Sequence, residues 1–332
     1  MKKIAILPAA AILLAATSCV EDAVVTEASD MQTHAIGFNS TVARNPSSRT
    51  IASIDDLTRF YAYGTQDGTT DLFLAQEVNL SGGDWSYTYN QGSSKPKWTP
   101  GSSYVFYAYS SDNAAVGGTA NYSFAKGLTF AGVTTGSATA NADLIYADRV
   151  EQIGLQSGNN RVAFNFRHIL SQINVVFTNS TSNAEGIAYS ARINSVSLGG
   201  YDLTGDFDGS AWSIASGSKQ AEAVALTFGG KAASDTLALS EKAQTLPMYL
   251  VPQQTEGIVL QFSVTIVNDA NASDVTTKTW QATFDADWEL GYRYNYNIPL
   301  ALTADEYIEF TASSLNGWSD GLSGQIQLVE VK

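Results

Sequence analysis

The chain has 332 residues, with 32 acidic against 18 basic side chains and a formal charge of −14. That charge repels nucleic-acid phosphates and anionic lipid head groups, so neither is expected as a partner. A single cysteine rules out an internal disulfide, and 44% hydrophobic against 15% charged residues is too apolar for a disordered protein.

The first twenty residues read as an export signal. Lys2 and Lys3 precede an apolar run from Ile4 to Ala16, interrupted by Pro8. About 13 apolar residues are too few for a membrane-spanning helix, which needs about 20. Ala16-Thr17-Ser18-Cys19 then resembles a lipobox, with Ala16 standing where leucine is commonest. On this reading residues 1–18 are removed and Cys19 is acylated. The alternative is an ordinary secretory signal ending beside a stray cysteine. Two or more acyl chains on one residue hold a protein stably on a membrane. Glu21 and Asp22 are similar to the acidic surface-export signal of Bacteroidota lipoproteins. Once the signal is removed, about 310 residues are long for one β-domain and comfortable for two.

Residues 19–33 form a polar tether, residues 34–43 an isolated strand, and residues 44–50 an exposed loop carrying Arg44 and Arg49. Ile54 to Phe60 has the spacing of one helical turn. From there the pattern is alternating. Trp85, Tyr87 and Tyr89 share a strand face; Tyr104, Phe106 and Ala108 do so after the turn at Thr99-Pro100-Gly101. Phe164, Phe166, His168 and Leu170, then Ile173, Val175 and Phe177, continue it, followed by Leu260 to Ile266 and Tyr292 to Ile298. Period two in aromatic and β-branched residues is the strand signature, and short strands between Gly/Asn/Ser turns predict an all-β fold of sandwich or barrel type. The polar, glycine-bearing stretch 156–160 divides the strand-rich sequence into near halves. It sets a domain boundary between 158 and 159.

Chemistry is sparsely provided for. His34 and His168 are the only histidines, and His168 falls inside a strand pattern, where a satisfied core histidine is expected rather than a triad base. No phosphate loop or dinucleotide fingerprint occurs. Asp202, Asp206 and Asp208 before Gly209 faintly resemble a calcium loop but lack its spacing and closing glutamate. No two carboxylates are singled out as an acid/base pair, so neither enzymatic activity nor a cofactor or metal is expected. Trp85, Trp98, Trp212, Trp280, Trp288 and Trp318 are either half-buried strand residues or a sugar-stacking platform.

Taken in order, several segments resemble the fimbrillins, pilin-type lipoproteins of Bacteroidota that build type V pili. They are Ile36-Gly37-Phe38, Arg49, Trp98-Thr99-Pro100, Phe106-Tyr107-Ala108-Tyr109, Asp143-Leu144-Ile145-Tyr146-Ala147, Phe164 to Ile173, Tyr249-Leu250-Val251-Pro252-Gln253, Gly291 to Tyr296, and Trp318. The resemblance implies two transthyretin-like β-sandwiches in tandem, over 34–158 and 159–332. It implies export to the outer membrane through the lipid anchor at Cys19, cutting by an arginine-specific protease, and polymerisation with other fimbrial subunits, alike or different. Arg49 matches the cleavage position better than Arg44, beyond which Pro46 stiffens the chain.

Loss of the first strand would remove Ile36, Phe38 and Val42 as apolar plugs and open a groove for a strand of another subunit. At about 1.5–3 kcal/mol per buried side chain, such a groove binds strongly. Ile326 and Leu328 in the C-terminal strand are candidate donor residues, or that strand is a permanent edge of its own sheet. A rival class is a surface glycan-binding lipoprotein that stacks sugars on exposed aromatics such as Trp98 or Trp288.

Overall fold

The computed structural model describes residues 35–42, 57–111, 117–155, 161–179, 189–215, 217, 219, 223–229, 235–238, 240–300, 311–312, 319–320 and 328–330. Cys19, His34, Arg44, Arg49, Trp318 and Ile326 lie outside them. The described residues are built of strands, with a single 3-10 turn at Asn90–Gly92.

The first nine strands are β1 (Phe38–Val42), β2 (Arg59–Gln66), β3 (Thr70–Ser81), β4 (Asp84–Ser86), β5 (Ser103–Ser110), β6 (Gly117–Ser123), β7 (Gly127–Thr134), β8 (Ile145–Ile153) and β9 (Val162–His168). Seven of them make one sheet in the order β1-β9-β8-β5-β2-β3-β4. All its neighbours are antiparallel except β1 and β9, which pair in parallel from Phe38↔Val162 to Val42↔Phe166. The sheet coils until β1 comes alongside β4.

Both faces of this sheet are covered, which explains the continuous apolar run of β5. Tyr104, Phe106 and Ala108 point into one core with Phe38, Phe60, Phe73, Trp98, Phe164 and Phe166. Val105 and Tyr107 point into another with Tyr63, Leu128, Phe130, Tyr146 and Phe207. Gly64 on β2 is where the first core is tightest: a Cβ there would lie 2.6 Å from the Phe106 ring and 3.1 Å from Phe73. Gly64→Ala is expected to cost about 1–3 kcal/mol by overpacking, measured as a lower urea midpoint at unchanged m-value.

The remaining strands are β10 (Ser171–Asn179), β11 (Tyr189–Gly199), β12 (Thr204–Phe207), β13 (Trp212–Ile214), β14 (Val224–Ala225), β15 (Phe228–Gly229), β16 (Thr236–Leu237), β17 (Lys242–Thr245), β18 (Met248–Leu250), β19 (Gln253–Asn268), β20 (Asn271–Trp288), β21 (Tyr292–Leu300), β22 (Thr311–Ala312), β23 (Ser319–Asp320) and β24 (Leu328–Glu330). A four-stranded sheet, β13-β12-β7-β6, supplies Leu128, Phe130, Val133 and Phe207 to the second core of the first sheet. Two further sheets face each other as a sandwich. One runs β15-β17-β10-β21-β22, the other β14-β11-β19-β20-β24. Between them Ile173, Val175 and Phe177 of β10 meet Val196 and Leu198 of β11 and Leu260, Phe262 and Val264 of β19.

Three sequence expectations are revised. β8 and β9, on either side of the expected boundary at 158/159, pair antiparallel in the first sheet, and the chain leaves that sheet only at Ile169–Leu170. Glycine-rich polar composition serves a hairpin and a linker equally. Arg59 and Phe60, assigned to a helical turn, belong to β2, because Phe60 is drawn into the first core. The face shared by Trp85, Tyr87 and Tyr89 persists, but its ladder ends at Ser86.

Candidate functional site around the first strand

Among the described residues β1 is an edge strand, with β9 as its one strand neighbour. Its alternation follows from the sequence: Ile36 and Phe38 are 0% and 1% exposed, Gly37 between them is half-buried, and Asn39 after them faces solvent. Backbone bonds hold it from three directions. The Ile36 N–H donates to Pro96 O at 2.9 Å, and the Val162 N–H donates to Gly37 O at 2.8 Å. The Tyr87 hydroxyl donates to Ile36 O at 2.7 Å. Ala35 forms an isolated antiparallel bridge to Lys97. Burial pushes the Tyr87 phenol above its ordinary pKa, which keeps it a protonated donor.

The Phe38 ring fills a pocket of other rings. It stacks on Phe164 at 5.7 Å with an 18° interplanar angle. Phe60, Phe73 and Phe106 meet it edge-on at 6.1, 5.2 and 6.3 Å, and Tyr87 lies tilted at 5.5 Å. Offset-stacked and edge-to-face pairs are the favoured aromatic geometries. Ser40, two residues on, has a buried Oγ with no hydrogen-bond partner. Outside the groove, Arg161 reaches Asn39 Oδ1 at 3.4 Å and Asp84 at 3.5 Å; these solvent-exposed contacts contribute little. Val42 pairs with Phe166 through the backbone, and its side chain lies outside those described.

Removing the Tyr87 hydroxyl isolates one element of this site. Tyr87→Phe is expected to cost about 1–2 kcal/mol, since Ile36 O loses a buried donor while the ring packing stays. The check is a urea titration; an unchanged midpoint would mean that the bond contributes nothing.

The other singled-out residues are placed as follows. Leu328 is in β24, paired with Ala282 of β20, in a sheet separate from that of β1. His168 Nδ1 lies 2.6 Å from Asp143 Oδ2, both side chains nearly buried. Asp208 accepts from the backbone N–H groups of Ser210 and Ala211, bonds that lower its carboxyl pKa, and Asp206 accepts from the Gly132 N–H. Asp208 holds the turn between β12 and β13 and Asp206 ties β12 to β7, and no metal-holding group of three acids, His or Cys occurs among the described residues. Trp98 and Trp288 are 2% and 1% exposed, so no sugar ring can stack on either, while Trp85 and Trp212 are half-buried. Ile36 and Phe38 are buried as the sequence suggested, but the rings around Phe38 were not foreseen, because Phe60, Phe73, Tyr87, Phe106 and Phe164 converge only through sheet order.

The fimbrillin-like family model matches residues 49–318, beginning past β1. Among solved structures, a fimbrial protein from Bacteroides vulgatus is 14% identical, with 84% of this chain and 98% of that one aligned at a TM-score of 0.53. A candidate cell-adhesion protein from Bacteroides ovatus is 15% identical over 86% of this chain and 98% of that one, with a TM-score of 0.52. At such identities the likeness is one of fold. A search of curated proteins finds no match.

Proposed function

We propose that this chain, which belongs to the fimbrillin-like family, is a structural subunit of a cell-surface type V fimbria that supports adhesion. In this reading it is exported as a lipoprotein acylated at Cys19 and cut by an arginine-specific protease after Arg49 or Arg44. It then polymerises by donor-strand exchange. Its work is assembly rather than catalysis, with two transthyretin-like sandwiches in tandem as the framework.

The observation that carries this reading is β1 itself. It is a five-residue edge strand with one ladder among the described residues, yet it seats a Phe38 enclosed by five rings and follows directly on a fully buried Ile36. The sequence leaving it carries both arginines. A cut there would leave β1 tied to the subunit only by non-covalent contacts. Its departure would expose apolar slots worth about 1.5–3 kcal/mol each and a β9 edge ready for another strand. Ile326 and Leu328 are the chain's own candidate donor residues, although Leu328 pairs with β20 as an edge strand would.

The test is a chain with Arg44→Ala and Arg49→Ala together. It is expected to remain monomeric and lipid-anchored while the unaltered chain forms polymers that resist detergent without boiling. Polymers from the double variant would contradict the proposal.

A further inference from the structure

Resting on the donor-strand reading, we infer that the β1 groove selects its incoming strand by an aromatic ring. The occupant it fits is an extended segment of a different subunit, with the pattern apolar–any–aromatic–any–small. Two separate features of the groove divide the task, one holding the backbone and the other reading the side chains.

The backbone is held without regard to sequence. The Tyr87 hydroxyl and the Pro96 carbonyl bind the carbonyl and the N–H of the residue at the Ile36 position. Neither contact depends on that residue's side chain, so both hold whatever strand is seated there, and its register along β9 follows from which side chain fills the ring slot. Identity is read two residues later. The slot at Phe38 has a parallel wall, Phe164 at 18°, and edge-on walls at 88°, 69° and 84° from Phe60, Phe73 and Phe106. A flat ring stacks on Phe164 and meets the other three at the steep angles of edge-to-face pairs, whereas a branched aliphatic side chain has no ring face to stack on Phe164. The intervening position is permissive, since a Cβ at Gly37 would meet only the flexible Arg161 side chain, at 3.2 Å. At Ser40 the side-chain oxygen is buried and unbonded, so that site takes a small residue and rejects a charge.

The chain's own C-terminal strand fits poorly. Residues 325–332, QIQLVEVK, contain no aromatic residue in any register. With Ile326 at the Ile36 position, Leu328 falls in the ring slot and the Glu330 carboxylate at the Ser40 site. Ile308-Glu309-Phe310-Thr311-Ala312 does carry the pattern, but Thr311–Ala312 is already paired with β21. The groove is therefore built for a partner other than the C-terminal strand of a second copy.

The experiment begins with the full chain nicked between β1 and β2 by an arginine-specific protease, which leaves β1 seated without a covalent tie. Three peptides then compete for the groove: residues 35–42 unchanged, the same peptide with Phe38→Leu, and residues 325–332. Release of the original β1 fragment is followed by mass spectrometry of the native complex. The unchanged peptide is expected to exchange in, the Phe38→Leu peptide to compete about tenfold more weakly, and residues 325–332 more weakly still. Equal competition by all three would overturn the selectivity while leaving strand exchange standing. If β1 is never released and no peptide enters, strand exchange fails and the selectivity falls with it. Should the nicked protein unfold, intact variants decide: Phe38→Leu should lower Tm more than Ile36→Leu, and equal shifts would overturn the inference.

Discussion

Replacing Phe38 by alanine is expected to destabilise the intact protein by about 3–5 kcal/mol, the range for deleting a buried aromatic ring. The ring is fully buried and touches five others, so the void is lined by rigid groups that cannot collapse into it. For a domain stable by about 5–15 kcal/mol this is a large fraction of the whole. The loss should also have a local signature. With one ladder holding β1, its amides should exchange faster, and the sequence between β1 and β2 should be cut faster, at denaturant concentrations where β19 and β21 stay protected. Asn39→Ala, on the exposed side of the same strand, should stay within about 0.5 kcal/mol of the parent. A Phe38→Ala cost below about 1 kcal/mol would mean that the ring is not seated as described.

Trp98→Ala and Trp288→Ala are each expected to cost about 3–5 kcal/mol as well. Trp98 packs edge-on against Tyr104 at 4.7 Å and Phe106 at 5.9 Å. Trp288 donates its indole N–H to the Tyr296 hydroxyl at 2.9 Å inside the sandwich and lies 6.2 Å from Tyr201. Trp288→Phe keeps most of that volume but strands the Tyr296 hydroxyl, for about 1–3 kcal/mol. These tryptophans also separate the assembly reading from the glycan-binding one. Any mobility of the protein in a glycan affinity gel should be the same for the folded fraction of each variant as for the parent. Lost retardation at unchanged stability would bring the glycan-binding reading back.

Much of this fold was legible because alternation leaves a direct imprint. Leu260, Phe262 and Val264 read as one strand face and line the sandwich from β19; Tyr294, Tyr296 and Ile298 do so from β21. Ile36 and Phe38 were legible as buried residues for the same reason. What alternation does not contain is which strand lies beside which. The groove closes because β9, far along the chain, returns to pair in parallel with β1, and because β3 and Tyr87 curl round from the opposite end of the sheet. The misplaced boundary at 158/159 has the same origin: a polar, glycine-bearing stretch looks alike whether it ends a domain or turns a hairpin. Trp98 and Trp288 were ambiguous because an indole on an alternating strand suits a core and a sugar platform equally, and only the covering strand decides.

The measurement that tests the central claim most directly is the intact mass and N-terminal sequence of the protein recovered from its native cell surface, beside a gel run without boiling. A chain beginning at Thr50 or Asn45, in a ladder that collapses on heating, is the result the donor-strand account predicts. An acylated Cys19 terminus with monomer alone would contradict it.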